Sequence, residues 1–218
     1  MEKDFWLERW EKAETGFHQD DINPYLKRHW PQLKLAPGSV VFVPLCGKSQ
    51  DMHWLRQQPH AVLGVELSPI AVKDFFHEAG QTPLELDGGK FDCCEADGIR
   101  LLCGDFFDLG KRELSNVSAV YDRASMVALP PEMRARYVKH LASILPSGCQ
   151  ILLITFDYPQ EQMSGPPFAV TPDEVTALYR DYADVRVLTQ SDVLDENPRF
   201  KQRGMTRLVE SVFLITLR

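Results

Sequence analysis

The sequence predicts an α/β fold built on a mostly parallel β-sheet with helices on both faces. Short apolar stretches of strand length alternate along the chain with stretches of helical period, which is the pattern of strand–helix–strand units. Early in this pattern, an apolar strand over 40–43 runs into a tight turn and a helix, and a second apolar strand over 61–66 ends on Glu66. The 218 residues, of which 44% are hydrophobic, suffice for one large domain with a full core. We therefore expect a single domain over 1–218.

The first elements follow from periodicity and from residues that begin helices. Aromatic residues at helical intervals, among them Trp6 and Trp10, predict an amphipathic helix over 3–13. Pro24 is typical of the first helical position and opens a short helix over 24–29. The other elements of the first half are strands at 40–43 and 61–66, helices at 49–57 and 69–79, and a hairpin from Phe91 to Leu102 that turns at Asp97-Gly98.

The second half continues the alternation of strands and helices. Its predicted elements are strands at 117–121, 149–156, 184–189 and 207–217, and helices at 131–145 and 173–181. Residues 190–206 show no helical period and are expected to form a loop between two strands that can pair antiparallel at one edge. Ligands of such folds bind at the carboxyl ends of the strands. One cleft is therefore expected, lined by the loops that follow Val43, Glu66, Cys103, Tyr121 and Phe156.

Composition excludes several classes of partner and site. The net charge of -7 argues against a nucleic-acid binder, which usually presents a basic face. The five cysteines are odd in number and form no Cys-x-x-Cys pair, so a disulfide framework and a zinc site are not expected, and a reducing cytoplasm is. No apolar run has the length of a membrane span, and the first residues do not resemble a signal peptide. We expect no metal, no nucleic acid and no membrane partner.

The turn after the first strand contains Cys46-Gly47-Lys48-Ser49, which is similar to the end of a phosphate-binding loop. That motif requires a glycine at position 42, where the chain has Phe42. A dinucleotide site uses Gly-x-Gly-x-x-Gly, whereas only Gly47 is available here. A cofactor that carries an adenosine without a pyrophosphate makes a smaller demand on the turn. S-adenosylmethionine fits that description.

Two acidic residues at strand ends are candidates for holding this cofactor. Glu66 can accept hydrogen bonds from both hydroxyls of a ribose, the alternative being an ordinary solvated acid. Asp105 can accept from an adenine amino group while Phe106 packs on the base. In the alternative interpretation Asp105 caps a turn, and Phe106 and Phe107 belong to the core.

Arg123 follows the central strand and Asp122. Its guanidinium can hold a carboxylate, stabilise a developing anion or stack on a ring, unless Asp122 and Arg123 form a purely structural network. In the polar loop after the first helix, His18 is a candidate base, with a surface histidine as the alternative. No nucleophile has a base at the required spacing, so covalent catalysis is not expected.

Several motifs together resemble the bacterial type of the thiopurine S-methyltransferase family over nearly the whole chain. They are Trp6-Leu7-Glu8-Arg9-Trp10, Gly16-Phe17-His18-Gln19, Val43-Pro44-Leu45-Cys46-Gly47-Lys48, Gly64-Val65-Glu66-Leu67-Ser68, Tyr121-Asp122-Arg123, Gly165-Pro166-Pro167-Phe168 and the arginine-bearing stretch before Gly204. The resemblance implies a Rossmann-like class I methyltransferase fold, with a seven-stranded sheet whose last strand is antiparallel. It also implies methyl transfer from S-adenosylmethionine to the sulfur of aromatic and heterocyclic thiols such as 6-mercaptopurine, and relatives are linked to selenium and tellurium species.

The resemblance also carries residue roles onto this chain. Its cofactor contacts match Trp10, Leu45, Glu66 and Arg123, with Asp105 and Phe106 at the adenine-side positions. Phe17, Arg123 and Arg199 match substrate-side residues, and His18 lies beside Phe17. Arg123 and Arg199 would favour the thiolate electrostatically and are the expected catalytic residues. Residues 1–30 would form a helical lid over the cleft.

Two alternatives remain at this stage. A halide or thiocyanate methyltransferase of similar fold has a related turn after its first strand. A protein that binds S-adenosylmethionine without turnover is the candidate from a different class. In each case we expect a monomer that acts on, or senses, small molecules.

Overall fold

A computed structural model describes residues 3–16 and 18–218, so Met1, Glu2 and Phe17 lie outside the described part. The chain forms two compact units. The first runs to Tyr121 and includes Ile144–Pro146, and the second comprises Asp122–Ser143 and Ser147–Arg218. The expectation of one domain over the whole chain stays a prediction.

The strands of the first unit form a sheet with a parallel centre and an antiparallel edge. They are β1 (Val40–Val43), β2 (Ala61–Glu66), β3 (Leu84–Gly88), β4 (Phe91–Ala96), β5 (Ile99–Cys103) and β6 (Val117–Asp122), whose last residue belongs to the second unit. Their order is β3-β4-β5-β2-β1-β6. β1 pairs in parallel with β2 and β6, and β2 pairs in parallel with β5, whereas β3, β4 and β5 form an antiparallel meander.

The register of the parallel strands determines what meets at their carboxyl ends. Val43 pairs with Gly64, and Glu66 pairs with Cys103. Beyond the end of β1, the amide of Cys46 donates to the carbonyl of Val65 at 3.0 Å, so the chain follows β2 for a further step. The turn after β1 therefore lies beside the end of β2.

Two helices of the first unit, α2 (Pro24–His29) and α4 (Pro69–Glu78), begin at residues that the sequence marks clearly. The unit also contains α1 (Lys3–Glu11) and α3 (Asp51–Gln57), with short 3-10 helices at Trp30–Leu33 and Phe106–Asp108. The Asn23 side chain caps α2 by accepting from two backbone amides, and the Ser68 hydroxyl caps α4 by accepting from Ala71. Both helices have proline at the first turn, where its missing N–H has no helical partner to lose.

The second unit consists of an antiparallel three-stranded sheet and four helices. Its elements are α5 (Ser125–Ala128), α6 (Pro131–Ile144), β7 (Gln150–Asp157), a 3-10 helix (Gln160–Gln162), α7 (Pro172–Tyr179), β8 (Ala183–Asp192), α8 (Pro198–Gln202) and β9 (Val209–Leu217). The order is β7-β9-β8, and β9 pairs antiparallel with both neighbours. The last residue of α6, Ile144, is counted with the first unit.

The Rossmann-like α/β fold with a mixed sheet and helices on both sides is confirmed, as is the antiparallel last strand. The expected number of seven strands is wrong, because the described residues form nine. β3 is an edge strand whose alternating leucines, Leu84 and Leu86, are exposed, and hydrogen bonding to β4 holds it in the sheet. The loop expected over 190–206 contains the short helix α8, which is too brief to show a period. Over the described residues, no helix combines the length and apolar character required to cross a membrane.

Candidate active site

The turn after β1 adopts a backbone conformation that few residue types tolerate. Leu45 has a φ of 46°, in the left-handed region that non-glycine residues rarely occupy, and Gly47 has a φ of 52°. Such a conformation costs a leucine about 1–2 kcal/mol, so the surrounding structure must hold it in place. The bond between Cys46 and Val65 described above contributes to this restraint. Strain of this kind is concentrated at functional sites, which makes the turn a candidate for ligand contact.

Glu66 is held at the end of β2 by the backbone on both of its sides. Its Oε2 accepts from the amide of Gly47 at 2.8 Å, and its Oε1 accepts from the amide of Ser68 at 2.8 Å. Glu66 is only 7% exposed, so it is not an ordinary solvated acid. Burial raises the pKa of its carboxyl, while the bonds from the backbone amides act in the opposite direction. The amide of Leu67 also acts on the carboxyl. A carboxylate has about four acceptor positions, so Glu66 retains the capacity to accept from a further donor.

Trp10 brings the N-terminal helix α1 onto this turn. Its indole Cζ2 lies 3.4 Å from the point where a Cβ on Gly47 would stand, and the side chain is 5% exposed. A larger residue at 47 would have to adopt positive φ and would also press on the indole. Gly47 thus serves both the turn and the packing of Trp10. The first unit places Trp10, Leu45 and Glu66 together around one turn.

Asp105 begins the 3-10 helix that follows β5. Its Oδ1 accepts from the amide of Phe107 at 2.9 Å, so the turn cap considered from the sequence is present. Its Oδ2 lies 2.7 Å from Nζ of Lys3, which ties the start of α1 to the same loop. Phe106 is buried and packs edge-on against Phe107 with 5.3 Å between ring centroids. The roles of Asp105 and Phe106 toward adenine stay predictions.

Asp105 and Glu66 are linked through the backbone of their strands. The amide of Gly104 donates to the carbonyl of Glu66 at 2.8 Å, which extends the pairing of β2 and β5 to the residue before Asp105.

Lys48, in the turn after β1, pairs with Glu78 of α4 at 2.5 Å, and its side chain is only 14% exposed. The lysine that makes this turn similar to a phosphate-binding loop is engaged in a structural ion pair.

At the start of the second unit, Asp122 is fully buried in a hydrogen-bond network. Its Oδ2 accepts from the Tyr137 hydroxyl at 2.6 Å, and its Oδ1 accepts from the amide of Ser125 at 3.2 Å. Burial raises the pKa of Asp122, and the bonds from Tyr137 and Ser125 oppose that shift. This network fixes the chain immediately on either side of Arg123.

Arg123 is half-buried, and its charge acts on Glu210 of β9. Burial raises the pKa of Glu210, while the positive charge of Arg123 lowers it. Glu210 has no local signal in the sequence that links it to Arg123, because it lies 87 residues further along the chain, in a strand that only the sheet pairing places. The charge of Arg123 is therefore coupled electrostatically to an acid on β9.

Arg199 is exposed on α8, and the next residue anchors that helix. The ring of Phe200 lies 6.4 Å from the ring of Phe156 at the end of β7. Both rings pack against a buried apolar cluster of the second unit formed by Tyr158, Val193, Met205 and Leu208. The sequence-predicted residues thus divide between the units, with Arg123 and Arg199 in the second.

The loop after α1 holds the last predicted residues. The side chain of His18 is 15% exposed, with Nε2 at 3.6 Å from Oδ1 of Asp20. Phe17, its predicted partner toward the substrate, lies outside the described residues. The substrate-side roles of His18 and Phe17 stay predictions.

Comparison with known proteins gives a consistent result over the full length. The family model described as thiopurine S-methyltransferase matches residues 1–218. A thiopurine S-methyltransferase of Nitrosospira multiformis is 63% identical over 218 residues, covering 100% of this chain and 99% of the relative. One from Azotobacter vinelandii is 51% identical over 218 residues and 100% of both chains.

Solved structures support the fold. A SAM-dependent methyltransferase from Anabaena variabilis has a TM-score of 0.66 at 15% identity, covering 99% of this chain and 95% of the other. A Burkholderia thailandensis 1,6-didemethyltoxoflavin-N1-methyltransferase, solved with S-adenosylhomocysteine, has a TM-score of 0.61 at 13% identity, covering 97% and 86%. At these identities the likeness shows a shared fold.

Proposed function

The chain belongs to the thiopurine S-methyltransferase family, and we propose that it transfers the methyl group of S-adenosylmethionine to the sulfur of aromatic and heterocyclic thiols such as 6-mercaptopurine. The observation that carries the proposal is the buried carboxylate of Glu66, oriented by the amides of Gly47 and Ser68 at the strand end. A full-length match to this family favours thiol methylation over halide methylation and over binding without turnover.

The residues around Glu66 suit an adenosine cofactor that has no pyrophosphate. A buried carboxylate that keeps acceptor capacity beside its backbone bonds suits the hydroxyl donors of a ribose. The turn offers a single glycine between β1 and α3, which is too few for a phosphate cradle, while Leu45 and Trp10 supply apolar surface. In the proposed arrangement Glu66 holds the ribose, and Leu45 and Trp10 shape the site around the rest of the molecule.

Asp105 and Phe106 are proposed for the adenine side. One oxygen of Asp105 is occupied by the amide of Phe107, and the other by Lys3. An adenine amino group would therefore share or replace the contact of Asp105 with Lys3. Since Lys3 is the first residue of α1, this arrangement supports the proposal that residues 1–30 act as a lid over the cofactor.

The acceptor side is proposed to stabilise a thiolate. The cofactor supplies an electrophilic methyl group on a sulfonium, and transfer requires the acceptor sulfur in line with it. Aromatic thiols are acidic, so the proton can leave to water without a strong protein base. The positive charges of Arg123 and Arg199 lower the free energy of the sulfur anion. Arg123 is also proposed to contact the cofactor, and Phe17 and His18 the acceptor.

The direct test is a product screen with the full chain. Methyl-labelled S-adenosylmethionine is incubated with thiophenol, 6-mercaptopurine, an aliphatic thiol, selenite, tellurite and iodide, and methylated products are identified by mass spectrometry. The expected result is the label on the sulfur of the aromatic and heterocyclic thiols. Tight cofactor binding with no methylated thiol would overturn the proposal, and a labelled selenium or tellurium product would extend the acceptor range.

Two accompanying proposals concern the molecule in solution. All five cysteines are free thiols, which supports a reducing, cytoplasmic setting. A monomer without nucleic-acid or membrane partners is proposed from the acidic composition. Light scattering at several protein concentrations tests the monomer, since a mass that doubles with concentration would contradict it.

A further inference from the structure

The segment that carries Arg199 is a 16-residue connection, 193–208, between β8 and β9, which we call the acceptor segment. We propose that Arg207 is a positioning residue that fixes this segment through Asp157, so that Arg199 is presented to the anionic sulfur of an aromatic thiol. The inference rests on the proposed function. It adds a residue that neither the motifs nor the family resemblance singled out.

The contact between Arg207 and Asp157 is bidentate. Nη1 lies 3.0 Å from Oδ2, and Nη2 lies 3.0 Å from Oδ1. Two parallel bonds of this kind fix the plane and direction of a guanidinium, which a single ion pair does not. Asp157 is the last residue of β7, and its side chain is only 15% exposed, so the carboxylate is a firm point of attachment. Arg207 thus joins the end of the acceptor segment to the end of a core strand.

A second contact reinforces the same end of the segment. Oε1 of Gln162 accepts from the amide of Thr206 at 2.9 Å, and Nε2 of Gln162 donates to the Thr206 hydroxyl at 3.0 Å. Gln162 lies in the loop that follows β7, so this loop and the acceptor segment are joined at adjacent residues, 206 and 207. Side chains from β7 and its loop therefore hold two adjacent residues, Thr206 through its backbone amide and hydroxyl and Arg207 through its guanidinium.

Apolar packing holds the rest of the acceptor segment, while Arg199 stays exposed to solvent. Phe200 packs on Phe156, and Val193 donates its amide to the carbonyl of Leu208 at 2.8 Å, which closes the segment at its base. Arg199 is exposed beside the anchored Phe200. The position of its backbone is consequently set by the attachment of the segment. The contacts at Arg207 and Gln162 are the polar part of that attachment.

The test compares Arg207→Gln, Arg199→Ala and the double variant, using thiophenol as the acceptor and the full chain throughout. Arg207→Gln is expected to raise KM for thiophenol about fivefold, within the range for a partly exposed ion pair, and to leave the Kd for S-adenosylmethionine unchanged. If Arg207 acts through Arg199, the effects of the two substitutions are not multiplicative, and Arg207→Gln adds little once Arg199 is alanine. A loss of general fold stability would instead change cofactor binding as well.

Lys201→Gln is the matched control. It removes one positive charge from the same segment, where Lys201 pairs with Asp195 at 2.5 Å and both side chains are largely exposed. This substitution is expected to leave KM for thiophenol unchanged. Arg207→Lys keeps the charge without the bidentate geometry, and an intermediate KM is expected.

Three outcomes would overturn the inference: an unchanged KM in Arg207→Gln, fully multiplicative effects with Arg199→Ala, or no effect of Arg199→Ala alone. If Arg207→Gln does not fold, as judged by its thermal melt, Gln162→Ala takes its place in the same cycle. Thiol methylation by the wild-type protein distinguishes a failure of this inference from a failure of the proposed function. If only the role of Arg207 is wrong, the wild type still methylates thiols. It makes no methylated thiol when the proposed function fails.

Discussion

Replacing Glu66 with glutamine tests the cofactor site with minimal change in shape. The carboxylate is 7% exposed and accepts from Gly47 and Ser68 at 2.8 Å each. Glutamine has one acceptor oxygen. Its NH₂ group cannot accept a hydrogen bond, so it leaves one backbone amide and one ribose hydroxyl without their acceptor. The substitution therefore removes a charge and one acceptor while it preserves the volume.

The expected magnitude follows from the bonds that are lost. A hydrogen bond to a charged acceptor is worth about 1.5–3 kcal/mol, so losing one to a ribose hydroxyl weakens binding by roughly 10- to 150-fold. The unpaired backbone amide costs about 1–3 kcal/mol of folding stability as well. Because the thiol does not contact Glu66 in the proposed site, its KM at saturating cofactor is expected to change little.

Isothermal calorimetry with S-adenosylhomocysteine measures the first effect, and urea unfolding the second. Glu85→Gln is the matched control, since it makes the same substitution in the first unit at an exposed position on β3, and it is expected to bind like the wild type. An unchanged dissociation constant in Glu66→Gln would refute the assignment of Glu66 to the ribose. A larger loss for thiol than for cofactor would refute it equally.

Three further predictions concern pH, stability and turnover. Burial raises the pKa of Glu66 from its ordinary value. Because the cofactor is proposed to bind the ionised carboxylate, its affinity in calorimetry should fall on acidification, and should do so at a higher pH than for an ordinary glutamate. Glu66→Gln should remove this pH dependence, and a dependence that persists in the variant would contradict the assignment. Tyr137→Phe removes the 2.6 Å bond to the buried Asp122 carboxylate and should cost about 1–3 kcal/mol in urea unfolding, whereas a loss near zero would show that Asp122 does not depend on it. Arg123→Ala should lower turnover most for the least acidic thiols, and an equal loss across a thiol pKa series would exclude thiolate stabilisation.

The part of the fold nearest the cofactor site could be predicted because its signals are local. The bounds of β1 and β2 follow from continuous apolar runs, and Ser68-Pro69 begins α4 where capping chemistry requires. Glu66 was recognisable because an acid at the end of an apolar strand is unusual. Of its amide partners at 2.8 Å, Ser68 follows the end of β2 along the chain, and Gly47 lies in the turn after β1.

The remaining features depend on contacts that sequence spacing does not reveal. β3 consists mostly of exposed residues, and it is a strand because it hydrogen-bonds to β4. Arg207 and Asp157 are 50 residues apart, and only the antiparallel pairing of β7 with β9 brings them within bonding distance. Asp105 was assigned two alternative roles, and its pairing with Lys3 of α1 was visible in neither. Long-range pairing therefore limited the prediction more than local propensity did.

We expect this chain to methylate the sulfur of aromatic thiols with S-adenosylmethionine held by Glu66. The most direct measurement is transfer of a labelled methyl group to thiophenol as the cofactor concentration is varied, for the wild type and for Glu66→Gln. S-methylated thiophenol is expected from both proteins, with the variant requiring roughly 10-fold or more cofactor for half-maximal rate. Cofactor binding without any methylated thiol from the wild type, or identical cofactor dependence in the two proteins, would contradict it.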